Sequence, residues 1–131
     1  MPTKLIMTLS AITMAIIGIG LTFAPREILS YAHTNSTAVF VIILQLLGAL
    51  YFAFAMLNWM AKGAIIGGIY NKPIAIANFV HFLIGGLALA KALIHNQRLP
   101  YFLWFLTGIY LVFAVCFGFI FTRHPADKQT V

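Results

Sequence analysis

Long runs of apolar residues, separated by short polar stretches, divide this chain into four segments. Each run has about 20 residues, the length that an α-helix needs to cross the hydrocarbon core of a bilayer. Residues 34–37 are rich in N-cap formers and precede the second run, while Pro73 suits the first position of a helix. The pattern therefore predicts membrane-spanning helices at residues 5–23, 39–60, 73–94 and 100–122.

The predicted fold class is all-α, an integral membrane protein. The runs lack the strict alternation of barrel strands, and a helix satisfies its own backbone hydrogen bonds in lipid. The connections are short, so consecutive helices are expected to pack as neighbours in an antiparallel four-helix bundle. The first run is too long for the apolar part of a signal peptide. Residues 1–131 are therefore expected to form a single transmembrane domain.

Composition agrees with a lipid environment. The chain is 63% hydrophobic and only 8% charged, whereas a soluble domain carries about 25% charged residues. The net charge of +6 comes from basic residues that stand singly at the ends of the apolar runs, which is typical of membrane flanks. A nucleic-acid surface would cluster these charges on one face. The expected partners are membrane lipids and a membrane protein or a second copy of the chain, and not nucleic acid.

The positions of the basic residues also predict an orientation, because cytoplasmic loops carry an excess of Lys and Arg. One side would hold Lys4, Lys62, Lys72, Arg123 and Lys128, and the other side Arg26, Lys91 and Arg98. Both termini are therefore expected in the cytoplasm. The glycine-containing segment 62–72 is expected to lie along the same interface, with Tyr70 at headgroup level.

Small and polar residues recur at helical spacing in each run and predict the packing faces, because small residues let helices approach closely in lipid. In the third run this face contains Asn78, His81, Gly85, Ala88 and Ala92, and Phe82 is expected to point elsewhere. In the second run it contains Gln45, Gly48, Phe52, Ala55 and Trp59, with Tyr51 and Asn58 at its margin. The first run contributes Ser10, Thr13, Ile17 and Gly20, and the fourth Trp104, Thr107, Leu111, Ala114 and Gly118.

His81 is the one titratable side chain predicted near the middle of a span, which makes it the first candidate for function. The candidate ligand-binding residues at or near its depth are His81, Asn78, Tyr51, Thr13, Gln45, Asn58 and Tyr110. In one interpretation Asn78, Tyr51 or Thr13 satisfies the donor and the acceptor of a neutral His81 imidazole. In the others His81 binds a lipophilic molecule, relays protons or ligates haem.

Several kinds of chemistry are disfavoured by what the spans lack. Both acidic residues, Glu27 and Asp127, lie outside them, so no carboxylate can act as an intramembrane general base. A second haem ligand on the same helix face would be His95, which is about 21 Å from His81 along the helix. Cys116 is the sole cysteine and cannot form an intrachain disulfide or a thiolate cluster. We therefore assign no catalytic residue and no metal ligand.

Several short motifs resemble those of the DoxX-like group of small four-helix bacterial membrane proteins. They are FAPREIL at 23–29, LQLLGALY at 44–51, LNW at 57–59, GGIYNKP at 67–73 and NFVHF at 78–82. The resemblance implies four helices and a bacterial inner membrane, and it transfers no catalytic residue.

Three functional hypotheses follow from the sequence. The first is an accessory or scaffold subunit that packs against other membrane proteins, because the chain has no soluble module and no catalytic set. The second is a binding protein for a lipid, quinone or sterol-like molecule near His81. The third is a permease or channel formed by oligomerisation.

Overall fold

A computed structural model describes residues 3–64 and 71–123 of the chain. These residues form five α-helices and no strand, which confirms the predicted all-α class for the described part. The helices are α1 (Thr3–Phe23), α2 (Pro25–Tyr31), α3 (Ala38–Ala61), α4 (Lys72–His95) and α5 (Tyr101–Thr122). The predicted interfacial position of Tyr70 and the predicted cytoplasmic position of Lys128 concern residues outside the described ranges.

Four of these helices are long and apolar enough to cross a membrane. They are α1, α3, α4 and α5, with 21, 24, 24 and 22 residues. Each begins and ends within two residues of a predicted run. The boundaries are predictable because proline and polar residues interrupt the apolar pattern there.

Helix α2 is the element that the sequence pattern did not predict. Its seven residues occupy the stretch interpreted as a polar break after the first run. Pro25 stands in the first turn, where its missing N–H costs nothing, and Glu27 in the same turn complements the positive end of the helix dipole. Pro25 and Leu29 are buried, and the chain leaves the helix through His33 with a φ of 53°. Seven residues are too few for helical periodicity to be recognised.

The chain divides into two compact units, Met1–Ile6 with Lys62–Val131, and Met7–Ala61. In the first of these, which we call the α4–α5 unit, the two helices run antiparallel. Gly85 faces Tyr110 near the middle of the pair, while Phe79 lies against both Gly118 and Phe121. Only residues 96–100 connect the two helices.

In the second unit, which we call the α1–α3 unit, α1 and α3 also run antiparallel. Ser10 contacts Asn58 near one end, and Thr22 contacts Gln45 near the other. Between these contacts the two backbones meet at Gly18 and Gly48. A Cβ atom placed on Gly48 would lie 2.8 Å from the Gly18 carbonyl oxygen and 2.9 Å from the Thr22 backbone nitrogen. The helices can therefore approach this closely only because both residues lack a side chain.

The packing faces differ from the prediction in α4. Phe82, expected to point elsewhere, is fully buried, whereas Ala88 and Ala92 of the predicted face are exposed. The buried residues of this helix are Ala75, Asn78, Phe82, Gly86 and Leu93. Their spacing still follows helical periodicity, but the buried stripe is rotated toward Phe82. Close packing favours a large side chain where small residues would leave a space between two helices.

The same correction applies to α3 and α5. Gly48 and Ala55 of the predicted α3 face are buried as predicted, and so are Tyr51 and Asn58, which were placed at its margin. The other members of that face, Gln45, Phe52 and Trp59, are exposed. In α5, Thr107 and Ala114 are buried as predicted, but Trp104 and Leu111 are exposed. In α1, Ser10 is buried, while Thr13, Ile17 and Gly20 are half-buried. Small size and polarity therefore identify part of each face but not its centre.

Candidate functional site

Asn58 forms the central polar contact of the α1–α3 unit. Its side chain is fully buried, and its amide nitrogen donates a hydrogen bond of 3.1 Å to the Ser10 hydroxyl oxygen. Ser10 in turn donates to the Met7 carbonyl oxygen at 3.0 Å. The Asn58 amide also lies 3.8 Å from the Met14 sulfur, a weak acceptor. A buried amide thus joins the two helices through a chain of satisfied groups.

This contact gives a first testable prediction. In a double-mutant cycle with Asn58→Ala and Ser10→Ala, we expect a coupling free energy of about 0.6 to 1.7 kcal/mol, the range of interhelical hydrogen bonds in membranes. The free energy of unfolding would be measured by denaturation with sodium dodecyl sulfate in mixed micelles. Thr107→Ala paired with Asn58→Ala is the control, since Thr107 donates to the Leu103 carbonyl of its own helix. Additive effects in the Asn58 and Ser10 cycle would contradict the prediction.

Three further predicted site residues lie in the same unit. Gln45 is exposed, and its amide nitrogen donates to the Thr22 carbonyl oxygen at 3.4 Å, near the C-terminal end of α1. Tyr51 is 8% exposed, and Thr13 is half-buried. Gln45 therefore has a structural partner on the neighbouring helix, next to the close approach of the two backbones at Gly18 and Gly48.

His81 and Tyr110 form the polar pair of the α4–α5 unit. The Tyr110 hydroxyl oxygen and His81 Nε2 lie 3.3 Å apart and share a hydrogen bond, whose direction depends on the imidazole tautomer. Tyr110 is 2% exposed, so its side chain turns inward, and His81 is half-buried. Gly85 makes room for the phenol ring, since a Cβ atom there would lie 2.6 Å from Tyr110 Cε1. That Tyr110 and His81 bind a ligand stays a prediction.

The pair adjoins a cluster of stacked rings that sequence reasoning missed. Phe82 is the central ring: it stacks on Phe113 and Phe117, with centroids 4.9 and 5.8 Å apart, and meets Tyr110 edge-on at 5.2 Å. His81 also meets Phe82 edge-on at 5.2 Å. The signal was present in the sequence, since Tyr110, Phe113 and Phe117 recur at helical spacing on α5.

Asn78 occupies a different position from the one expected of a ligand-binding group. It is fully buried, and its amide nitrogen donates to the Ile74 carbonyl oxygen of its own helix at 2.9 Å. Asn78, His81 and Tyr110 lie in the α4–α5 unit, and the other four predicted residues in the α1–α3 unit. That all seven residues form one ligand site stays a prediction.

Among residues 3–64 and 71–123, no three His, Cys, Asp or Glu side chains lie close enough to hold a metal ion. His81 and His95 both lie on α4, as the argument about a second haem ligand assumed. In the same described ranges, every buried side-chain nitrogen and oxygen has a hydrogen-bond partner. The arrangement can hold helices together through polar groups, and His81 is half-buried.

Comparisons of the chain with family models, with curated proteins and with solved structures find no match.

Proposed function

We propose that this chain is a multi-pass membrane protein of the bacterial inner membrane, with both termini in the cytoplasm and its four long helices in an antiparallel bundle. Four helices of sufficient length and hydropathy support the crossing. The antiparallel pairing of α4 with α5 and of α1 with α3 supports the topology. The bacterial location follows from the DoxX-like resemblance and the orientation from the distribution of Lys and Arg.

We further propose that the protein acts as an accessory or scaffold subunit that packs against another membrane protein or a second copy of itself. One observation carries this proposal. Within the described residues, the buried polar groups are satisfied inside the chain, while the outward surface consists of large apolar side chains. Leu46, Ile84 and Phe105 are exposed residues of this kind on three different long helices. Such a surface offers packing contacts to a neighbouring membrane protein.

The test is photo-crosslinking in intact membranes. A photoreactive amino acid would replace Leu46 on α3, Ile84 on α4 or Phe105 on α5, each with 63–73% of its side chain exposed. We expect one position to give a protein adduct of defined mass and the other two to give lipid adducts only. The position that reacts with protein identifies the docking face, and an adduct of twice the mass of the chain identifies a homo-oligomer. Lipid adducts alone at all three positions would exclude a stable partner.

A second function, the binding of a lipophilic molecule such as a quinone, is favoured by the His81 and Tyr110 pair. This half-buried imidazole and its phenol partner are polar groups within helices long and apolar enough to cross a membrane, where such groups often mark a binding site. Native mass spectrometry separates the two functions. A lipophile that copurifies with the protein and is lost in His81→Ala would support binding. The same bound mass in His81→Ala would exclude His81 as its ligand.

A further inference from the structure

A partly open cavity of about 250 Å³ lies where the beginning of α1 meets the end of α5. It belongs to the α4–α5 unit, since residues 3–6 pack with that unit. Its lining is mainly apolar and consists of Thr3, Ile6, Cys116, Phe119, Ile120 and Arg123. An apolar cavity of this kind gives water few hydrogen-bond partners and favours a hydrocarbon occupant.

Positive charge surrounds the same end of the unit. Arg123 lines the cavity and is exposed, directly after the last residue of α5. The Lys72 ammonium lies 5.4 Å above the ring of Phe121, which places the beginning of α4 beside the end of α5. Lys4 directly follows Thr3. The described residues of this unit contain no Asp or Glu.

Size and charge together limit what the cavity can take. Sites that enclose a whole small molecule have volumes of about 300–1,000 Å³, so this cavity suits part of an elongated chain. A free phosphate would need Arg123 but would leave the apolar lining without an occupant. A lipid with an anionic headgroup uses both features, because each Lys or Arg near an anionic headgroup contributes about 1 kcal/mol of attraction.

We propose that this cavity holds part of one acyl chain of an anionic phospholipid, whose phosphate contacts Arg123. Lys72 and Lys4 add to the attraction from the same end of the unit. The apolar lining determines where the acyl chain of the lipid enters, and the cations determine which headgroup is selected. The proposal goes beyond the accessory function and requires only that this end of α1 and α5 lies in contact with lipid.

The first test is native mass spectrometry of the full chain in detergent with equal amounts of phosphatidylglycerol and phosphatidylcholine of matched chains. We expect retention of phosphatidylglycerol to exceed that of phosphatidylcholine by about fivefold for each cation engaged. Arg123→Gln should lower this preference about fivefold. Arg98→Gln removes the same charge from the connection between α4 and α5 and should leave the preference unchanged. Equal retention of the two lipids, or a preference insensitive to Arg123→Gln, would overturn the proposal.

Cys116 provides a second test without any substitution, because it lines the cavity and is the sole cysteine of the chain. In delipidated protein we expect a maleimide to alkylate Cys116, and phosphatidylglycerol to slow this reaction several-fold more than phosphatidylcholine. Inorganic phosphate alone should give no protection. Protection by phosphate equal to that by phosphatidylglycerol would indicate an anion site instead of a lipid site. Slow alkylation unchanged by any lipid would show that another part of the protein fills the cavity. Either result overturns the proposal.

A matched pair of variants tests the apolar part of the site. Cys116→Leu adds volume to the lining and should reduce retained phospholipid several-fold, whereas Cys116→Ala leaves the cavity open and should retain it. Circular dichroism of both variants shows whether the helices are intact. These tests measure bound lipid, whereas the accessory function is tested by protein crosslinking. Failure of the lipid-site proposal is therefore distinguishable from failure of the accessory function.

Discussion

Gly48→Ala is expected to destabilise the protein by about 3 kcal/mol, the upper end of the usual cost of overpacking. The new Cβ atom would lie 2.5 Å from the Thr22 hydroxyl oxygen, 2.8 Å from the Gly18 carbonyl oxygen and 2.9 Å from the Thr22 nitrogen. Two of these three atoms belong to the backbone of α1, so the clash cannot be relieved by rotating a side chain. The helices must separate, and each loses its closest contacts. Denaturation with sodium dodecyl sulfate in mixed micelles measures the change.

Gly20→Ala is the matched control in the same unit. A Cβ atom on Gly20 would meet only Ile28 Cδ1 at 3.9 Å, an ordinary contact. Removing a glycine from a helix interior also favours the helical state, by up to about 1 kcal/mol. We therefore expect Gly20→Ala to be neutral or stabilising. Equal destabilisation by the two substitutions would show that the crossing at Gly18 and Gly48 is not the cause.

The second large effect is expected for Phe82→Ala, at about 2 to 3 kcal/mol. The full cost of a buried Phe→Ala change in a soluble core is about 3 to 5 kcal/mol, which includes transfer of the ring from water. In lipid that transfer contributes little, because the separated helices keep the ring in an apolar medium. What remains is the loss of ring contacts with Phe113, Phe117 and Tyr110. Unfolding in mixed micelles again provides the measurement.

Phe105→Ala removes the same ring from a position on α5 that is 73% exposed, and it should cost less than about 0.5 kcal/mol. Phe82→Leu should be intermediate, since part of the volume is retained. If Phe82→Ala were as mild as Phe105→Ala, the stacked rings would contribute little to the α4–α5 unit. Lipid entering the vacated volume would then be the physical explanation.

The extents of the long helices could be predicted from the sequence because the bilayer imposes a minimum length and polar residues mark the ends. The short helix α2 could not, since its stability depends on the burial of Pro25 and Leu29 rather than on its own length. Helical spacing correctly placed Ser10, Thr107 and Ala114 on buried faces, but it placed Phe82 on the wrong face. The period gives the possible faces, and only the neighbouring helix determines which of them is covered.

The candidate site was predictable only in part. His81 and Tyr110 were selected by their expected depth, but the hydrogen bond between them was not predicted. Ser10, which accepts the Asn58 hydrogen bond, was assigned to a packing face but not to the site. Depth along a helix follows from a residue count, whereas the choice of partner depends on the rotation and separation of two helices. Those are set by the glycines and rings between them.

The five-residue connection between α4 and α5 has a consequence for the synthesis of the protein. Helix α4 has the lowest mean hydropathy of the four long helices, at 1.8. That of α5, the next helix along the chain, is 2.3. While α5 is still within the ribosome, the imidazole of His81 lacks the phenol that it meets in the finished protein, and Phe82 lacks its stacking rings. Helix α4 can thus acquire these partners only after α5 has been translated. We therefore expect the two helices to join the fold together, as a hairpin.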